Sequence, residues 1–189
     1  MAKYYIYTDG SSRGNPGPGG WGLVVMNEQE NEIIFTEHDS DNPTTNNRME
    51  LKAMICAFQY AEDHPEDYFI IYSDSAYVVN SVNSWIRGWA ANGWKNSKKQ
   101  TVENLDLMQE LHSYLIRDFF NAEVRKCDGH AGVVGNELVD AIATSNWKKY
   151  QELVDYWNIQ EPIEKTEAQL TFETKQMLGL YGDNWFPND

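Results

Sequence analysis

The chain has 189 residues, 41% hydrophobic, and sets 15 Lys and Arg against 29 Asp and Glu for a formal charge of −14. With 7 Trp, 11 Tyr and 7 Phe, the composition excludes disorder throughout and suits one domain with a full core, alone or with an appendage. No apolar run approaches the ~20 residues that span a bilayer, so no membrane association is expected.

Lys3 to Thr8 reads as a strand that ends at Asp9-Gly10. Residues 10 to 22 hold six of the 13 glycines, with Pro16 and Pro18, and read as a tight loop. Trp21 to Met26 and Glu32 to Glu37 are two further strands, completing an antiparallel meander. The period then changes. Leu51, Met54, Ile55, Phe58 and Ala61 predict a helix over about Asn47 to Asp63, ended by His64-Pro65. Tyr68 to Ser73 is a buried strand that ends at Asp74, and Ser75 to Trp85 is helical. Gly88 to Lys99 is a polar excursion containing Trp89 and Trp94. A helix over Thr101 to Phe119, a strand over Glu123 to Cys127 and a helix over Asn136 to Leu153 follow. This order predicts an α/β domain with a five-stranded mixed sheet, three antiparallel strands then two parallel ones, flanked by helices.

The acidic balance argues at first against nucleic acid, which usually meets a basic surface. From Gln151 onward, however, eight acidic residues face two lysines. Much of the negative charge thus lies at one end, and some of the rest falls where carboxylates suit metal ions. Met1 to Tyr5 shows no signal-peptide pattern, and Cys56 and Cys127 are the only cysteines. A reducing, cytoplasmic compartment is the expectation.

Asp9 and Asp74 each follow a strand. If those strands are parallel neighbours, the two carboxylates lie roughly 5 Å apart at the sheet end where α/β proteins bind ligands. Glu50 falls early in the first helix and Asp140 near the start of the last main one. Oxygen-only ligands favour Mg²⁺, with Mn²⁺ able to substitute, and two such ions roughly 4 Å apart suit in-line phosphoryl displacement. Each acid taken alone also fits an ordinary turn or helix-start role.

Five motifs occur in order: Thr8-Asp9-Gly10-Ser11; Asn15-Pro16-Gly17-Pro18-Gly19-Gly20-Trp21-Gly22; Thr45-Asn46-Asn47-Arg48-Met49-Glu50; Ser73-Asp74-Ser75; and Gly129-His130-Ala131-Gly132 with Gly135-Asn136-Glu137-Leu138-Val139-Asp140. Together they resemble type 1 ribonuclease H over about Lys3 to Lys149. The resemblance implies that Asp9, Glu50, Asp74 and Asp140 bind metal and that His130, on a loop, aids turnover. It further implies cleavage of the RNA strand of an RNA–DNA hybrid by a two-metal mechanism, leaving 5′-phosphate and 3′-hydroxyl ends. Glu137 matches a further acid near the site.

For substrate, Asn15, Asn46 and Asn47 match positions that reach the minor groove and the sugars, while Gly10 and Ser11 would lie beside the RNA strand. Thr45 and Arg48 resemble a pocket for a DNA phosphate. The asparagines also fit turn and capping roles, and Arg48 fits a helix-surface charge. Trp85 to Lys99 resembles the family's basic protrusion. Trp85, Trp89, Trp94 and Lys95 are its candidate contacts, with Trp94 the better surface candidate and Trp85 with Trp89 also fitting core packing. Ala90-Ala91 stand where some relatives carry basic residues. Gly17-x-Gly19-x-x-Gly22 fits a dinucleotide fingerprint, but it leads into a strand rather than a helix.

A catalytic domain over residues 1–157 and an acidic C-terminal extension over 158–189 are expected. Thr166-x-x-Gln169 marks a capping box for a helix over about Glu167 to Leu178, so the extension is expected to be partly helical and either to fold back on the domain or to dock a protein partner. A monomer is expected, as no heptad pattern is evident. Two rival readings fit the same residues: a catalytically idle module that binds hybrids or a partner, and another nuclease of the same superfamily.

Overall fold

The computed structural model describes residues 1–117, 121–129 and 132–162. Strands β1 (Lys3–Ser12), β2 (Gly17–Asn27), β3 (Ile33–Thr44), β4 (Tyr68–Ser73) and β5 (Ala122–Lys126) form one sheet in the order β3-β2-β1-β4-β5. β1, β2 and β3 pair antiparallel, while β1–β4 and β4–β5 are parallel. The mixed five-stranded sheet expected from the element order is therefore present.

Side chains alternate across this sheet and feed two cores. Ile6, Leu23, Val25, Phe69 and Ile71 face α1 (Asn46–Asp63), α2 (Ala76–Asn80), α3 (Ile86–Ala91) and α4 (Leu105–Leu115). Tyr7, Val24 and Met26 point the other way, to α5 (Val134–Ala143) and α6 (Trp147–Trp157). A π-helical turn, Ser81–Trp85, joins α2 to α3. Helix α1 begins where Thr45 caps it, its hydroxyl accepting from the Arg48 N–H.

Several boundaries differ from the sequence reading. The stretch over residues 10 to 22 is not mainly loop: β1 continues to Ser12 and β2 starts at Gly17. Its glycines serve close packing. A Cβ on Gly22 would stand 2.5 Å from Ile142 Cγ2, so α5 could not lie on the sheet. Gly17, Gly19 and Gly22 all lie within β2, consistent with rejecting a dinucleotide fingerprint. The single helix expected over Asn136 to Leu153 is two helices. Ser145 takes a left-handed φ of 52° between them, and Asn146 caps the second by accepting from the Lys149 N–H. Helix α4 starts at Leu105 rather than Thr101, because Asn104 is also left-handed, with φ 52°.

The expected domain edge at residue 157 is softer than drawn. Ile159 is buried, the Gln160 N–H donates to the Asn31 carbonyl, and the Ile33 N–H donates to the Gln160 carbonyl. The extension thus begins packed against the β2–β3 turn. The capping box at Thr166 lies outside the described residues, as do residues 163–189 in general.

Candidate active site

The register of β1 against β4 decides the geometry. Thr8 pairs with Ser73, so Asp9 and Asp74 are the next residues along two adjacent parallel strands. They stand side by side where β4 ends, as expected, but β1 does not stop at Asp9-Gly10: it runs on to Ser12 because it keeps pairing with β2. Glu50 arrives from α1, whose first turns press onto β1 at Gly10. A Cβ on Gly10 would lie 2.2 Å from the Glu50 N and 2.3 Å from the Met49 carbonyl carbon. Only glycine lets the helix backbone come so close.

One oxygen from each of Asp9, Glu50 and Asp74 lies within 4.8 Å of the others. Asp9 Oδ1 accepts the Gly10 N–H at 2.8 Å. Glu50 is 5% exposed, and its Oε2 is buried with no hydrogen-bond partner. A buried carboxylate oxygen left unpaired is strongly unfavourable unless a proton or a cation completes it. The acidity of the site records that strain. Burial, then the charges of Asp74 and Asp140, push the Asp9 carboxyl up to about 8. Burial, then Asp9 and Asp74, push Glu50 well above the usual carboxylate range. This donor set fits a hard divalent cation: three acidic side chains converge, one of them carries a buried oxygen with no partner, and their repulsion is relieved by positive charge.

Asp140 stands at the edge of this group. It is near enough to raise Asp9, but its Oδ2 accepts from Lys149 Nζ at 2.7 Å. Glu137, one helical turn earlier, lies 3.5 Å from the same ammonium. Lys149 carries no motif, and its spacing from Asp140 gives no helical signal because a break separates α5 from α6. His130 lies outside the described residues.

The proposed substrate residues fall into two connected groups. Near β1, Gly10 is buried, Ser11 is half-buried and Asn15 is exposed. Asn15 Oδ1 accepts the Asn46 N–H at 3.4 Å, so the β1–β2 turn reaches the start of α1. Asn46 is exposed there and Asn47 half-buried. Thr45 caps the helix, so both its capping and binding readings draw on one hydroxyl.

Arg48 is not a free helix-surface charge. Its two terminal nitrogens donate to the Asp106 carboxylate at 3.0 and 2.7 Å, and Nη1 also reaches Asn104 Oδ1 at 3.4 Å. Asn104 in turn donates to the Tyr77 hydroxyl at 3.1 Å. Tyr77 meets Trp85 edge to face, with Trp89 beside it. A chain of contacts therefore runs from α1 to the protrusion. Asn104, Asp106 and Tyr77 escaped the sequence reading because partners brought together from distant segments leave no local pattern.

The tryptophans correct one expectation. Trp85 is the exposed one, at 40%. Trp94 is half-buried, packs against the core and meets His112 edge to face at 5.5 Å. Trp89 also packs on the core. Lys95 is exposed and donates to the Thr101 hydroxyl at 2.9 Å, closing the small hairpin that carries Lys98 and Lys99.

Comparison with known proteins identifies the family and the fold. The family model for RNase H matches residues 1–148. The chain is 46% identical over 144 residues to the ribonuclease H of Janthinobacterium sp. (strain Marseille), spanning 76% of this chain and 94% of that protein. A crystal structure of a type 1 RNase H with the type 2 active-site motif superimposes with a TM-score of 0.66 at 27% identity, covering 89% of this chain and 90% of that one. The foamy viral protease-reverse transcriptase in complex with an RNA/DNA hybrid shares the fold, with a TM-score of 0.61 at 20% identity over 79% of this chain and 20% of its own. The family match runs through every element that delivers a site carboxylate, from β1 to α5, and the chain belongs to the ribonuclease H family.

Proposed function

We propose that this protein hydrolyses the RNA strand of RNA–DNA hybrids as an endonuclease, leaving 5′-phosphate and 3′-hydroxyl ends. The carrying observation is the convergence of one oxygen each from Asp9, Glu50 and Asp74 within 4.8 Å, with a buried oxygen on Glu50 that has no partner. An idle binding module has no use for that arrangement, which destabilises the fold unless something positive fills it. Asp9, Glu50, Asp74 and Asp140 would hold two Mg²⁺ ions, with Mn²⁺ able to substitute. When bound, these supply Lewis-acid chemistry to an in-line displacement at phosphorus.

The protein's own groups supply the rest. The Gly10 N–H fixes one Asp9 oxygen. Asn15 and Asn46, joined across the β1–β2 turn, present amides where ribose hydroxyls can be read. Thr45 and Arg48 lie beside one another to receive a DNA phosphate, with the guanidinium pre-oriented by Asp106. Trp85 and Lys95 offer an exposed ring and an exposed cation for the backbone beyond. His130 keeps the turnover role that its motif implies. The unpaired thiols Cys56 and Cys127 support a cytoplasmic setting, and the protein acts as a monomer.

Cleavage of a labelled hybrid, measured beside duplex RNA and duplex DNA with Mg²⁺ or EDTA, tests the reading. Cutting of the hybrid alone, abolished by EDTA, is expected. Equal cutting of duplex DNA, or activity that survives EDTA, overturns it.

A further inference from the structure

We propose that Lys149 is a positioning residue: its ammonium holds the Asp140 carboxylate and competes with divalent cations for it. The inference rests on the metal-site reading above. Of the four implied ligands, Asp140 is the one outside the group whose oxygens lie within 4.8 Å. It is also the one that has a cation. Lys149 Nζ lies 2.7 Å from Asp140 Oδ2 and 3.5 Å from Glu137 Oε2. Among the described residues, no other cation forms an ion pair with any of these four acids.

Lys149 is delivered by the fold. Asn146 caps α6 by accepting the Lys149 N–H at 3.0 Å. Trp147, Tyr150 and Val154 anchor the helix, exposed by only 5%, 2% and 4%. The RNase H family match ends at residue 148, so the ammonium comes from the part of the helix that runs past it.

The chemistry is that of a displaceable counter-ion. A lysine ammonium is a compact charge on a flexible stem. Its side chain is 35% exposed and that of Asp140 27%, so the ammonium can swing into water when a divalent ion takes the carboxylate. The exchange is modest in energy, because half-exposed ion pairs contribute little. Lys149 thus lowers the repulsion felt at the Asp140 side of the metal-free site and raises the cation concentration needed to fill it. A residue there for packing alone would act in the opposite direction: its loss would loosen the site and weaken metal binding.

Calorimetric titration of the metal-free full chain with Mn²⁺ separates these cases. Lys149→Met and Lys149→Gln should each lower the Mn²⁺ concentration that half-saturates the weaker site by about two- to five-fold. Lys149→Arg, which keeps the charge, should return the curve toward wild type. Circular dichroism checks that each variant is folded. Neutral variants that bind Mn²⁺ like wild type, or more weakly, overturn the proposal. Asp9→Asn is the control for the underlying reading. If it binds Mn²⁺ as wild type does, the metal site itself is wrong and this proposal falls with it. If it loses binding while the neutral Lys149 variants match wild type, the role of Lys149 alone is refuted.

Discussion

Replacing Asp9 with Asn should stabilise the metal-free protein while abolishing cleavage. The carboxyl ionises near 3.8 when unperturbed, but burial and the charges of Asp74 and Asp140 hold its proton up to about 8 in the fold. Between those values the folded state binds a proton that the unfolded chain has released. Stability of the metal-free protein therefore rises as pH falls through about 8 and is lowest above it. At about 1.36 kcal/mol per tenfold in proton affinity, the ceiling on this penalty is roughly 6 kcal/mol. Asp9 is only half-buried, so water and counter-ions screen much of that. A gain of about 1–3 kcal/mol for Asp9→Asn is expected above about pH 8. Glu50 adds to it, since the Asp9 charge is one cause of its own raised ionisation. Urea unfolding in EDTA at about pH 5.5 and about pH 8.5 measures the effect, with wild type losing stability between them and the variant losing less. Added Mg²⁺ should restore wild type more than the variant. An Asp9→Asn protein that is less stable than wild type at the higher pH without metal, or that still cleaves hybrids, would falsify the electrostatic account.

Gly10→Ala should destabilise by about 3 kcal/mol and remove activity, because the new methyl would meet the α1 backbone 2.2 Å away and push Glu50 out of the cluster. Unfolding curves and the hybrid assay report both effects. Trp147→Ala should cost about 3–5 kcal/mol by emptying the anchor of α6, read as a lower thermal midpoint. Lys95→Ala should weaken hybrid binding at low salt and flatten the salt dependence by about 0.9 in log–log slope, with little change in cleavage once substrate saturates. An unchanged slope would place Lys95 off the nucleic-acid path.

Parts of this architecture were legible in the sequence for physical reasons. Apolar strand runs followed by Asp9-Gly10 and Asp74-Ser75 announce two carboxylates, although β1 itself continues past Asp9 to Ser12, and the crossover through a helix makes those strands parallel. Glu50 sits early in a helix whose apolar period is plain. The glycines misled, because a run rich in Gly and Pro reads as loop by local propensity. Here Gly22 lies within a strand, lacking a side chain because α5 packs directly upon it. The break at Thr144 to Asn146 was also invisible: no Pro or Gly marks it, and helical periodicity resumes at once beyond it. Trp94 seemed destined for the surface among polar neighbours, yet it packs against the core and His112.

By itself, the sequence determined which chemistry was available. The order of strands and helices, the four acids and the motif spacing are local or near-local properties, set by backbone preference and hydrophobic period. Only the tertiary structure decided which acids converge and which is held by an ammonium. That division depends on close approach: α1 against Gly10 brings Glu50 in, and α6 carries Lys149 to Asp140. Distances between residues far apart in the chain follow from packing, and packing leaves no repeating mark in the residues it joins.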